Sequence, residues 1–204
     1  MKKFLTIILA IFLALGISGC FSSKTQGLEN YLSELRCQIY QGNSEQYKLK
    51  AYYGFKETPY QNDAKVNKKV YELCFMLFDK QSDSSEYSLS FNYNGVDYTK
   101  ILALDPTSHT LTCSFAIENF SLTCFTISLI NGSNLEQIEF SSIVPNNTIS
   151  YLTALEKLCA SQQNLVNSFY SDNGIFLAEI HERIIVKDGK PYWYIAFATG
   201  NDKL

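Results

Sequence analysis

From Tyr47 to Val144 the hydrophobic pattern takes a period of two rather than 3.6, and that period decides what the chain can fold into. Successive side chains of a β-strand point to opposite faces, so an alternating run buries one face; a helix needs a period of 3.6. Tyr47, Leu49, Ala51, Tyr53 and Phe55 alternate with Lys48, Lys50, Tyr52 and Gly54. Residues 70–78 are apolar on both faces, as a central strand is. Tyr87, Leu89, Phe91 and Tyr93 alternate with Ser88, Ser90 and Asn92. Asn94-Gly95 supplies the two positive-φ positions of a tight hairpin turn, and residues 96–104 return from it. Further strands are predicted over 111–117, 122–130 and 135–144, the last two separated by Asn131-Gly132. Seven strands at short, regular spacing predict an antiparallel sandwich or a curled meander.

Helical periodicity flanks this body. Leu28, Leu32, Leu35 and Ile39 recur at three- and four-residue spacing, which predicts a helix over residues 28–40 stopped by Gly42. Pro145-Asn146-Asn147-Thr148 punctuates the chain and offers an N-cap. Residues 149–170 then carry one apolar stripe of Leu152, Leu155, Leu158, Cys159, Leu165, Val166 and Phe169, ended by Ser171-Asp172-Asn173-Gly174. Strands over 175–186 and 191–198 follow, joined at Asp188-Gly189. That two-residue turn places Ile184 opposite Trp193 and Ile180 opposite Phe197. The helix–hairpin order and its Asp188-Gly189-Lys190 turn distantly resemble PepSY-like modules of secreted bacterial proteins, over about the last 55 residues. Such modules add a strand beyond the point where Lys203-Leu204 stands. The expected fold is therefore α+β: one domain over residues 28–204, with an antiparallel β-rich body, a short N-terminal helix, and a long C-terminal helix plus hairpin. A sub-boundary, if one exists, falls near 145–148.

The first 20 residues read differently. Lys2 and Lys3 precede an uncharged run over 4–17, and Ile17-Ser18-Gly19-Cys20 closes it with small residues and a cysteine. A basic start, an apolar stretch and a small-residue cleavage site make a secretory signal peptide. The run is 14 residues long, whereas a spanning helix needs roughly 20. The closing tetrapeptide resembles the lipobox of bacterial lipoproteins. In that family the cysteine sulfur receives a diacylglycerol and a peptidase cuts just before it. The resemblance implies a signal peptide over 1–19, lipidation on Cys20, a tether over 20–27, and a location on the outer face of the cell membrane. Phe21 is not the Asp that resembles an inner-membrane retention signal, so a two-membrane host would carry the protein in its outer membrane. Two or three acyl chains anchor stably, at about 0.8 kcal/mol per buried CH₂.

Charge narrows the partners. Two of the 17 basic residues lie in the leader, so the remainder carries 15 against 20 acidic residues, a net charge of −5. Such a surface repels phosphate backbones, and no nucleic-acid partner is expected. With Cys20 acylated, Cys37, Cys74, Cys113, Cys124 and Cys159 remain, none in CxxC spacing. A hairpin turning at Glu118-Asn119 would set Cys113 opposite Cys124, where either a disulfide or two buried thiols would fit. The chain has two histidines, His109 and His181, and no dedicated metal site or cofactor is expected. It contains no G-x-S-x-G elbow, S-x-x-K pair, P-loop or dinucleotide fingerprint.

Two surfaces stand out as candidate sites. Glu179, His181 and Arg183 alternate along one strand and share a face, opposite Ala198, Ala196 and Tyr194; an acid, a base and a cation in a row could bind a polar ligand or position a proton. Such stripes are more commonly solvated faces with weakly paired charges. Tyr52, Tyr53, Phe55 and Tyr60 cluster around a polar loop over 56–67, as sugar- or peptide-binding surfaces do, although aromatic residues in β-proteins are more commonly core pairs. The functional expectation is a membrane-anchored, extracytoplasmic lipoprotein acting as a non-enzymatic binding module for an envelope protein or cell-wall polymer. A small-ligand receptor for sugar or peptide, and an envelope hydrolase using Glu179 and His181, are the alternatives.

Overall fold

The computed structural model describes residues 27–60, 65–78 and 86–199. The expected leader, Cys20, most of the expected tether and the Lys203-Leu204 end lie outside those residues. A single 3-10 turn, Leu28–Tyr31, leads into β1 (Leu32–Asn43), β2 (Lys48–Glu57), β3 (Lys69–Phe78), β4 (Tyr87–Tyr93), β5 (Val96–Ile101), β6 (Ala103–Asp105), β7 (Thr110–Ala116), β8 (Cys124–Asn131) and β9 (Asn134–Ser142). Two short helices follow, α1 (Tyr151–Ser161) and α2 (Gln163–Ser168), and then the hairpin β10 (Ala178–Lys187) and β11 (Lys190–Thr199).

All eleven strands belong to one sheet, ordered β5-β4-β8-β9-β1-β2-β3-β7-β6, with the β10–β11 hairpin attached to β1. Pairing is antiparallel except between β1 and β10, which run parallel. β1 is long enough to divide one edge between two partners. Leu32–Arg36 pairs with β10, and Tyr40–Asn43 pairs with β9. β2 lies along its other edge. The sheet curls until its far strands meet: Lys100 Nζ of β5 donates to Ser114 O of β7 at 2.7 Å, and Tyr98 packs edge-on against Phe115 at 5.8 Å. The result is a nearly closed barrel.

Aromatic rings fill the barrel. Phe75 has no exposed surface and packs against Phe91, Phe115, Phe125 and Phe140 at centroid distances of 5.5–6.1 Å. Fully burying one such side chain contributes about 1.5–3 kcal/mol. A second apolar cluster lies beneath the helices, where Leu32, Leu35, Phe55 and Ile180 of the sheet meet Leu155, Cys159, Val166 and Phe176.

The expected α+β class is corrected to a predominantly β fold in three places. The body is a nearly closed barrel rather than a sandwich or open meander. The segment expected as an N-terminal helix is mostly strand β1. Its register shifts at Ser33 against β10 and at Cys37 against β2. Each bulge adds a residue to one strand, so the buried leucines Leu32 and Leu35 fall three apart and mimic a helical stripe. Pairing with β2, β9 and β10 overrides that local pattern. Third, the long C-terminal helix is absent, because it breaks at Gln162 (φ −123°, ψ 40°). The run Ser161-Gln162-Gln163-Asn164 is fully polar and exposed. It offers nothing to bury, and the break lets Val166 turn onto the sheet. The N-cap is Ser150, whose Oγ accepts from Thr153 N, while Thr148 donates to Pro145 O.

The turns came out as their sequences require. Asn94 and Gly95, and Asp188 and Gly189, all adopt positive φ. Gly54 is needed for a different reason: a Cβ there would lie 1.7 Å from Leu35 O, so only glycine lets β1 approach β2 this closely. The supposed Cys113–Cys124 hairpin does not form. β7 pairs with β3 and β6, and β8 with β9 and β4. Among the described residues Cys113 is a buried free thiol and Cys124 an exposed one. No described helix is long and apolar enough to cross a membrane.

Candidate functional site

The β10–β11 register is the one the Asp188-Gly189 turn implies: Glu179 opposite Ala198, His181 opposite Ala196, Arg183 opposite Tyr194. His181 and Arg183 line a half-open groove of about 330 Å³ with Ser33, Glu34, Arg36, Tyr52, Lys56, Glu57, Tyr60 and Glu72. Alternation places these groups together. Glu34 and Arg36 are two apart on β1, and their partners in β2 are Lys56 and Gly54. Glu72 of β3 lies opposite Gly54 in turn. The other face of the same strands carries Leu35, Phe55 and Ile180 into the apolar cluster under the helices.

Glu34 organises the groove. One carboxylate oxygen accepts from Arg36 Nε at 2.6 Å; the other accepts from Arg183 Nη2 at 2.6 Å and bonds His181 Nδ1 at 3.3 Å. Burial pushes the Glu34 carboxyl up, but the His181 and Arg183 hydrogen bonds and the two guanidinium charges outweigh it and hold it at about 2. Glu34 is therefore ionised at neutral pH and can only accept, so His181 Nδ1 must carry the proton it shares with Glu34. The lone pair of a neutral His181 then sits on Nε2, which lies 3.4 Å from Ser33 Oγ. Ser33 stands at the bulge where β1 spends two residues against one of β10. Without that extra residue Ser33 and Glu34 would face opposite sides of the sheet; with it, both reach the same imidazole.

Glu179 is fully buried and lies against Tyr60, whose phenol is raised by burial first and then by the Glu179 charge and hydrogen bond. Tyr60 is about half exposed, at 52%, and its ring meets His181 edge-on at 5.7 Å. Tyr52 lies flat beneath Arg36, whose guanidinium is 4.1 Å from the ring centre, a cation–π contact. The expected aromatic cluster thus divides: Tyr52 and Tyr60 face the groove, while Tyr53 and Phe55 are core. Lys56 pairs with Glu72 at 3.1 Å, and Asn67 donates to Glu57 at 2.6 Å. His109 lies apart in the turn before β7, with φ 54°. Among the described residues no set of three His, Cys, Asp or Glu side chains gathers in a form that could hold a metal ion.

The sequence located His181 and Arg183 but missed Ser33, Glu34 and Arg36, which sit near position 181 only through the parallel β1–β10 pairing; Ser33 and Glu34 reach His181 across 148 and 147 residues. The one available signal was the Glu34–Arg36 alternation, which the helical reading of residues 28–40 hid. Comparison of the chain with protein-family models, with curated proteins and with solved structures finds no match.

Proposed function

We propose that this chain is a lipid-anchored extracytoplasmic protein that holds a polar envelope polymer in the groove around Glu34. The basic–apolar–small leader and its Cys20 support the anchor. Because aromatic side chains fill the barrel, a ligand must be met on the outside. The observation that carries the reading is the groove itself. A single carboxylate fixes two guanidinium groups and an imidazole beside the half-exposed Tyr60 ring. Donors and acceptors locked in place beside an aromatic face suit a chain of hydroxyl, amide and carboxylate groups, because little side-chain entropy is lost on binding. Cell-wall polymer has that chemistry, whereas the net charge of −5 outside the leader disfavours a polyanion such as nucleic acid.

The test has two arms. In cells, the wild type should label with palmitate and pellet with membranes, and Cys20→Ala should do neither. In co-sedimentation with purified cell wall, the wild-type chain should bind and the double variant Arg36→Ala/Tyr60→Ala should lose at least tenfold in affinity. A Cys20→Ala chain that still takes up label rejects the anchor, and wall binding equal in wild type and double variant rejects the groove.

A further inference from the structure

We infer that the groove also cleaves carboxylic esters, with Ser33 as nucleophile, His181 as base and Glu34 as the group that orients the base. This goes beyond the binding reading and shares with it only the groove. Three features of the geometry agree. Ser33 Oγ and His181 Nε2 are 3.4 Å apart, and His181 Nδ1 and Glu34 Oε2 are 3.3 Å apart, so the imidazole is bracketed by a hydroxyl and an ionised carboxylate. Hydrogen bonds of this kind are commonly long before substrate binds and tighten with it. The tautomer forced by Glu34 leaves Nε2 free to accept, which is the orientation a serine-activating histidine requires. The bulge that brings Ser33 to the groove is a device that re-aims side chains next to reaction centres.

The chemistry balances on these groups and water. Ser33 Oγ attacks the ester carbonyl and its proton passes to His181 Nε2, while the carbonyl π pair moves onto oxygen. Arg36, Arg183 and Lys56 are the groove cations available to that oxyanion. Collapse breaks the C–O bond to the alcohol, which takes the proton from His181. Water, deprotonated by the same nitrogen, then releases the acid and restores the serine. An alkoxide leaves more readily than an amide nitrogen, which favours esters in a half-open site. Ser33 is only 1% exposed, so the acyl group reaching it from the groove must be short. The substrate class is a short O-acyl ester on a polar alcohol.

The test is covalent labelling of the purified full-length protein by a small fluorophosphonate, followed by peptide mapping and by 4-nitrophenyl acetate turnover. Ser33 should label to completion, Ser33→Ala should abolish both labelling and turnover, and His181→Gln should slow both by on the order of 10²–10⁴-fold. Unfolding curves of both variants check that the fold is kept. Wild-type labelling no faster than in Ser33→Ala, labelling at another serine, or undiminished rates in His181→Gln would overturn the assignment. Wall binding without labelling sinks the ester chemistry alone; labelling without wall binding sinks the polymer reading and leaves this one standing.

Discussion

Replacing Glu182 should stabilise this protein, and the gain should grow with pH. Glu182 occupies β10 between Leu35 of β1 and Ile195 of β11, on the face covered by α1. It has no exposed surface, and neither carboxyl oxygen has a hydrogen-bond partner among the described residues. Its negative charge would also bear on Tyr151 and Cys159 of α1. Burial pushes its carboxyl from 4.5 to about 8. Below pH 4.5 folded and unfolded chains both hold the proton, and Glu182 has no effect on pH dependence. Between pH 4.5 and 8 the unfolded chain releases it while the folded chain keeps it, so stability falls by about 1.4 kcal/mol per pH unit. The accumulated cost is about 3 kcal/mol at pH 7 and about 5 kcal/mol above pH 8. Glu182→Leu removes both the titration and the unpartnered oxygens. Urea unfolding of the unlipidated Cys20→Ser chain, with and without Glu182→Leu, should give a stability difference that rises steadily from pH 5 to pH 8. A difference that stays flat with pH, or a variant less stable at pH 8, would refute the reasoning.

Glu34 should behave in the opposite sense. Its carboxyl is held at about 2 against an ordinary 4.5, so its contribution is complete above pH 4.5 and is lost as pH falls toward 2. Glu34→Gln should cost about 2–3 kcal/mol at pH 7, allowing for its partial exposure, less than about 0.5 kcal/mol at pH 2, and nothing below it; matched acid-unfolding curves read this directly. Gly54→Ala should cost more than about 3 kcal/mol or prevent folding, because its Cβ meets the backbone oxygen of Leu35 rather than a movable side chain. A thermal midpoint within a degree of wild type would show that β1 and β2 separate more easily than their geometry implies.

What the sequence determined by itself was local. The period of two from Tyr47 to Val144 located the segments that form β2 to β9, but the single return strand expected over 96–104 divides at Leu102 into β5, which pairs with β4, and β6, which pairs with β7. Asn94-Gly95 and Asp188-Gly189 fixed the β4–β5 and β10–β11 turns because few residues tolerate positive φ. The alternation of Glu179, His181 and Arg183, with its cross-strand partners, followed from the second turn alone. The leader signature is local too, and the anchor proposed on Cys20 rests on that sequence alone. Everything missed depended on contacts remote in sequence. Bulges at Ser33 and Cys37 turned a strand into an apparent helical stripe, and they exist because β1 must serve β10, β9 and β2 at once. The polar run at Gln162 ended a helix whose stripe continued past it, since a helix in a protein extends only where the sheet beneath can bury its next turn. Closure of the barrel separated Cys113 from Cys124 by assigning their strands to different neighbours. Above all, the parallel β1–β10 pairing brought Ser33 and Glu34 to His181. A strand's own sequence records which of its faces is buried; which strand lies beside it is decided only when the whole sheet closes.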